Sequence, residues 1–158
     1  MRKEKVLIFK TGHTEILEGN QQSRITSLGD VLRTTPLLHL FKEEHVTWVT
    51  DEGAMPLLEG NPYINRLLLS SDHFIHDQLL AERFDTIINL EKIPGICALT
   101  DKISAWKKFG FRYDSENMQA EAYDLASEVL RVSFNSDIKK NNKRCFQELL
   151  FQMLGAEF

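Results

Sequence analysis

The residue with the clearest chemical potential is Asp30, which sits in the run Ser27-Leu28-Gly29-Asp30-Val31-Leu32-Arg33-Thr34-Thr35-Pro36-Leu37-Leu38. A short apolar strand precedes the run and a helix-like apolar pattern follows it. In open α/β folds that junction is where ligands bind. A carboxylate held there can act as a general base toward a hydroxyl within hydrogen-bond reach. Backbone N–H groups at the start of the following helix can hold an anion, and Gly29 lets a ligand approach the backbone closely. Together these features suit a hydroxyl that attacks something phosphorylated. An Asp beside a Gly ahead of a helix is also the pattern of an ordinary helix cap.

The elements that must position Asp30 follow from periodicity. Val6, Leu7, Ile8 and Phe9 form a continuous apolar run, the mark of a strand buried on both faces of a parallel sheet. Residues 10–25 read as an unusually long loop. Leu28, Val31, Leu32, Leu37, Leu38, Leu40 and Phe41 keep helical spacing. Pro36 predicts a short turn over 29–33, a break, and then a helix to about residue 43, with Thr34 or Thr35 as its cap. Further strands are expected at 46–50, 66–69, 86–90 and 106–111, with helices at 54–59, 75–83 and 96–103 between them. Strands alternating with helix-length segments imply right-handed βαβ units, so the fold class is α/β, a Rossmann-like three-layer sandwich with a mainly parallel sheet. From Ala120 to Val132 the spacing is helical, 135–144 reads as a polar linker, and an amphipathic helix from Phe146 is closed by Gly155. This divides the chain into a Rossmann-like domain over 1–134 and a linker with a C-terminal helix over 135–158.

Composition narrows the function. The 158 residues are 42% hydrophobic, enough for a real core and the usual size of one domain. A net charge of −4 and a pI near 5.7 argue against a nucleic-acid binder, which needs an excess of Lys and Arg. Cys97 and Cys145 form no CxxC pair and read as reduced, inert, buried thiols of a cytosolic protein. No stretch approaches the ~20 apolar residues of a membrane span, and the apolar run behind the basic N-terminus is too short for a signal peptide. The expectation is a cytoplasmic protein, in contact at most with a membrane surface. His73 and His76, flanked by Asp72 and Asp77, lack a third ligand at telling spacing, and Asp72 is better read as a helix N-cap. Phe9 is not followed by GxGxxG, which removes the dinucleotide-dependent oxidoreductases.

Several of these segments together resemble glycosyltransferase family nine, the ADP-heptose:lipopolysaccharide heptosyltransferases. The resemblance rests on the strand with Lys10 and Thr11 behind it, the 27–38 run, Thr47-Trp48-Val49-Thr50, Met55-Pro56-Leu57-Leu58, Asn61-Pro62-Tyr63-Ile64, Phe84-Asp85 and Phe109-Gly110-Phe111. It spans essentially the whole chain. It implies the N-terminal half of a GT-B architecture, in which two Rossmann-like domains face each other and this one holds the sugar acceptor. On that basis Asp30 matches the base that deprotonates the acceptor hydroxyl, which displaces a nucleoside diphosphate with inversion, and the scheme needs no metal or other cofactor. Lys10 and Lys92 follow strands at the expected ligand-facing end and Arg33 lies one turn from Asp30; with Thr11, Ser27 and Gly29 they are the expected substrate-binding residues. The cations among them suit a lipopolysaccharide core-type acceptor with carboxylates and phosphates.

The donor, ADP-heptose, would bind an absent C-terminal domain, without which this chain is expected to be inactive. The face that domain covers could pair two copies of the chain, and work on lipopolysaccharide suggests peripheral contact with the inner membrane. A standalone glycan-binding domain or a truncated gene product is the competing expectation. Residues 11–25 depart from the family pattern as an apparent insertion at the rim of the expected cleft. Lys107, Lys108 and Arg112 are expected to form a solvated face.

Overall fold

The computed structural model describes residues 2–13 and 26–158, so most of the expected loop and insertion, residues 14–25, lies outside the described residues. Five strands run parallel: β1 (Lys5–Phe9), β2 (His45–Thr50), β3 (Arg66–Leu69), β4 (Arg83–Asn89) and β5 (Ser104–Asp114). A sixth, β6 (Gln119–Ala122), pairs antiparallel with the far end of β5. The sheet order is β3-β2-β1-β4-β5-β6, so the chain winds outward one way from β1 and the other way from β4. The switch point, where an open α/β sheet leaves its crevice, therefore lies between β1 and β4.

β1 is buried on both sides as its apolar run implies. Alternation sends Val6 and Ile8 into one core and Leu7 and Phe9 into the other. The second core is closed by Ile75 and Leu79 of α3 (His73–Ala81) and, at its margin, by Leu99 of α4 (Pro94–Lys102). The first takes Val31 of α1 (Leu28–Leu32), Leu37 and Leu38 of a 3₁₀ segment (Thr35–Phe41), and Leu58 of α2 (Met55–Leu58). It also takes Leu150, Phe151 and Met153 of α7 (Phe146–Met153), while Val129 of α5 (Ser127–Phe134) packs against it. The result is a Rossmann-like, mostly parallel sheet with helices on both faces.

Several local expectations hold for their stated reasons. The chain does break after α1, and Pro36 sits in the first turn of the 3₁₀ segment, where its missing N–H costs nothing. Asp72 is the N-cap of α3, accepting from the Phe74 N–H at 3.0 Å. α7 ends in a Schellman pair, Gly155 N–H to Gln152 and Ala156 N–H to Phe151.

Four expectations are corrected. Ala120 lies in β6, because β5 runs on to Asp114 and offers its edge to Gln119–Ala122. The polar 135–144 stretch contains α6 (Ser136–Asn141), started by Asn135, whose side chain accepts from two backbone N–H groups. Cys97 is buried but Cys145 is exposed, where its sulfur caps α7 against Glu148. Lys108 does not simply meet water. Its ammonium donates to the Thr100 and Asp101 carbonyls at the end of α4, and burial pulls its pKa below the usual lysine value against the attraction of Asp101.

Asp101 also ties the hairpin to α4, accepting the Tyr113 N–H at 2.9 Å and the Tyr123 hydroxyl at 2.5 Å. Burial first, and then this bond to a carboxylate, push the Tyr123 phenol well above its ordinary value. A raised folded pKa gives stability that is complete below the free phenol's titration near pH ~10 and lost as pH climbs beyond it. The stability advantage of the wild type over Tyr123→Phe is expected to shrink above about pH 10, read by urea unfolding across the alkaline range.

Gly110 lets β5 pass β4 at the end that matters. Its φ is +93°, and a Cβ there would lie 1.9 Å from the Asn89 carbonyl oxygen. At Gly29 a Cβ would meet nothing within 4 Å. Gly110→Ala is expected to cost about 3 kcal/mol or more in urea unfolding, and Gly29→Ala less than about 1 kcal/mol.

Candidate functional site

β1 and β4 are parallel neighbours, so the chain leaves both at the same end of the sheet. After β1 come Lys10, Thr11 and Gly12; after β4 come Leu90, Glu91 and Lys92. A cavity of about 250 Å³ opens there. Its polar wall is Lys10, His13, Asp30, Arg33, Thr34, Glu91 and Lys92. Its apolar wall is Leu90, Phe111, Val129, Phe146, Leu150 and Met153, so α5 and α7 complete the site begun by the strand ends.

Glu91 organises the polar wall, and its side chain is only 4% exposed. One oxygen, Oε1, accepts from the Thr11 N–H at 2.5 Å, the Thr11 hydroxyl at 2.9 Å and the Gly12 N–H at 3.1 Å. The Lys10 ammonium lies 3.5 Å from the same atom. Asn89 aims the turn that carries Glu91. Its amide oxygen accepts the Glu91 N–H at 3.0 Å while its nitrogen donates to the Phe111 carbonyl at 2.9 Å.

The held loop in turn places Asp30. Gly12 has φ +88°, and a Cβ on it would come within 2.8 Å of both Thr26 and Val31, so the chain can cross itself only with glycine there. The Gly12 carbonyl accepts the Ser27 N–H at 2.7 Å, which sets the start of α1 one turn ahead of Asp30. His13 pairs with Thr26 beside this crossing, and Thr26 donates to Asp51 at 2.8 Å, with His13 Nδ1 4.0 Å from the same carboxylate.

Asp30 and Arg33 form an ion pair at 2.6 Å, and the Arg33 guanidinium lies 4.1 Å from the centre of the Phe146 ring at the start of α7. Both charged side chains are partly solvated, so the pair contributes at most about 1 kcal/mol. The aromatic shelf adds a contribution of similar size and keeps the guanidinium against the cavity wall. Lys92 reaches over Phe111, its ammonium 5.5 Å from the ring centre.

Of the residues singled out in the sequence, Asp30, Lys10, Arg33 and Lys92 come together on the cavity wall. Thr11 is fully buried and its polar groups face Glu91. Ser27 starts α1 through its backbone, with no side-chain capping bond, and Gly29 is exposed on the same helix. Neither residue lines the cavity. The helix whose first N–H groups were expected to hold an anion is α1, five residues long. Glu91 and Phe146 are not among the expected site residues, and Phe111 enters the sequence reading only through the Phe109-Gly110-Phe111 motif. Glu91 was findable by the argument that selects Lys92, since it follows the same strand one position earlier. Among the described residues no group of His, Cys, Asp and Glu is arranged to hold a metal ion.

Comparison with known proteins bears on the fold. No family model matches this sequence, and no curated protein matches it. Among solved structures, a glycosyl transferase family 9 protein from Veillonella parvula matches with a TM-score of 0.50 and 23% identity, over 71% of this chain and 32% of that one. The E. coli heptosyltransferase WaaC, solved with ADP and with ADP-2-deoxy-2-fluoro heptose, matches with a TM-score of 0.55 and 18% identity. The match covers 97% of this chain and 48% and 49% of those chains. At such identities the likeness establishes the shared Rossmann-like fold. This chain spans about half or less of the length of the structures it matches.

Glu91→Ala leaves two loop N–H groups and the Lys10 ammonium without their acceptor. It is expected to lower stability by about 3 kcal/mol in chemical denaturation.

Proposed function

We propose that this chain is the acceptor-binding half of an inverting glycosyltransferase of family nine. On this reading it is the N-terminal half of a GT-B architecture and acts on an anionic, lipopolysaccharide core-type saccharide. The observation that carries the reading is Asp30 on the wall of the switch-point cavity, at the end of a chain of contacts that fixes its helix, with Lys10, Arg33 and Lys92 on the same wall. Solved structures of the same fold carry the names of glycosyl and heptosyl transferases, and two were determined with ADP or an ADP-sugar. The short motifs of the 27–38 run point the same way.

The chemistry follows from the groups present. An acceptor hydroxyl within reach of Asp30 gives up its proton to the carboxylate as its oxygen attacks the anomeric carbon of the donor. The new C–O bond forms on the face opposite the breaking one, and the nucleoside diphosphate departs with the electron pair. Arg33 and the two lysines meet the carboxylates or phosphates of the acceptor, with the planar guanidinium suited to two-point contact. The groups that stabilise charge on the departing diphosphate belong to a donor-binding half facing this cavity. Exposed Leu28 and Leu32, on the helix that carries Asp30, are suited to the rim of such an interface. On this reading the protein works in the cytoplasm, against the surface of the membrane that bears its acceptor.

In an enzyme where this half faces a donor-binding half, Asp30→Asn is expected to lower turnover on the order of 10²-fold or more, with the unfolding midpoint preserved. Turnover is followed as transfer from ADP-heptose to deacylated inner-core oligosaccharide. Unchanged turnover would reduce Asp30 to a helix residue.

A further inference from the structure

Glu91 carries more than the loop needs. All of its polar contacts converge on Oε1: Thr11 N–H and hydroxyl, Gly12 N–H and the Lys10 ammonium. Oε2 has no partner among the described residues. It is also not sealed in, since among those residues the buried side-chain polar atom left without a partner is Thr50 Oγ1. Glu91 lines the cavity while its side chain is 96% withdrawn from solvent, the complement of its 4% exposure. A glutamine would keep the Thr11 and Gly12 bonds, because its amide oxygen accepts the same donors, and would lose only the charge opposite Lys10. Opening onto the cavity and not used by the loop, Oε2 is an acceptor offered to whatever the cavity binds.

We propose that Glu91 Oε2 is a ligand-reading atom that accepts a hydrogen bond from a hydroxyl of the saccharide bound in this cavity. The proposal rests on the glycosyltransferase reading and adds to it a second carboxylate with a different task. Asp30 takes a proton in the reaction, whereas Glu91, held by its other oxygen, only recognises. Being an acceptor, Oε2 selects a hydroxyl and repels a carboxylate or phosphate, so the anionic groups of the ligand turn toward Lys92 and Arg33. The cavity thus reads a polyol with an anionic group, and a saccharide lacking the hydroxyl that meets Glu91 is rejected because the carboxylate oxygen stays unpaired. That hydroxyl can belong to the acceptor or to the donor sugar.

Glu91→Gln tests the assignment, since it keeps an acceptor facing the loop and turns the atom facing the cavity from acceptor to donor. The charge it removes opposite Lys10 favours an anionic ligand, so a loss of affinity reports the hydrogen bond and not the charge. Calorimetric titrations of wild type and Glu91→Gln with deacylated inner-core oligosaccharide, and separately with ADP-heptose, are the test. The variant is expected to bind about 10- to 100-fold more weakly to one of the two. A loss confined to the oligosaccharide puts the hydroxyl on the acceptor, and one confined to ADP-heptose puts it on the donor sugar. Equal affinities of the two proteins for a ligand that the wild type binds would overturn the proposal and leave the glycosyltransferase reading standing. A wild type that binds neither ligand would overturn both. A second measurement needs no variant. The side-chain carboxyl ¹³C signal of Glu91 in the wild type is expected to move on addition of the bound ligand, and an unmoved signal at saturation would overturn the proposal.

Discussion

The site depends on one buried carboxylate oxygen. Four donors from the segment that leaves β1 meet Oε1 of Glu91, which arrives from the end of β4. The two strands are already neighbours in the sheet, but sheet hydrogen bonds stop where the strands stop. Beyond them the Glu91 contacts continue the joint between β1 and β4 into the loops. With Gly12 fixed, its carbonyl receives Ser27, α1 starts at a defined place, and Asp30 faces the cavity. A short helix of low intrinsic stability can therefore carry a precisely placed side chain, because tertiary anchoring rather than helix propensity holds it.

The other wall is built differently. Phe146, Leu150 and Met153 come from α7 at the far end of the chain, and α7 packs on the same core as Val6 and Ile8. Arg33 bridges the two walls, bonded to Asp30 on one side and stacked on Phe146 on the other. Neither contact is strong alone at this exposure. Acting together they orient a guanidinium, and a bound anion can draw it away from Asp30 at modest cost. A polar wall set by a buried carboxylate and an apolar wall set by a packed helix suit a ligand with hydroxyls on one face and carbon on the other.

The framework was legible because burial writes itself into periodicity. Val6 to Phe9 could only be a strand covered on both faces, Arg66–Leu69 matches its expected span, and Pro36 marked the break after α1. β6 was not legible. Its Gln119-Ala120-Glu121-Ala122 alternates small and polar residues without a strong apolar face, and its partner is the extension of β5, a pairing local spacing does not announce. In the site, residue types pointed to Lys10 and Lys92, charges just past strand ends, and to Asp30 with Arg33 one turn from it. The aromatic partners did not stand out, because Phe111 and Phe146 read as ordinary core residues. Thr11 and Glu91 show the limit most clearly. One was given to the ligand and faces a carboxylate, while the other, one residue before Lys92, organises the loop through contacts 79 and 80 residues away in the chain.

The central claim is that the crevice between the ends of β1 and β4 holds an anionic saccharide against Asp30. Amide and side-chain NMR shifts of the ¹⁵N,¹³C-labelled chain, recorded during titration with deacylated inner-core oligosaccharide, address it most directly. The account predicts saturable shifts centred on Gly12, Asp30, Arg33 and Lys92, with the outer face of α3 unmoved. Shifts centred elsewhere, or none at millimolar ligand, would contradict it.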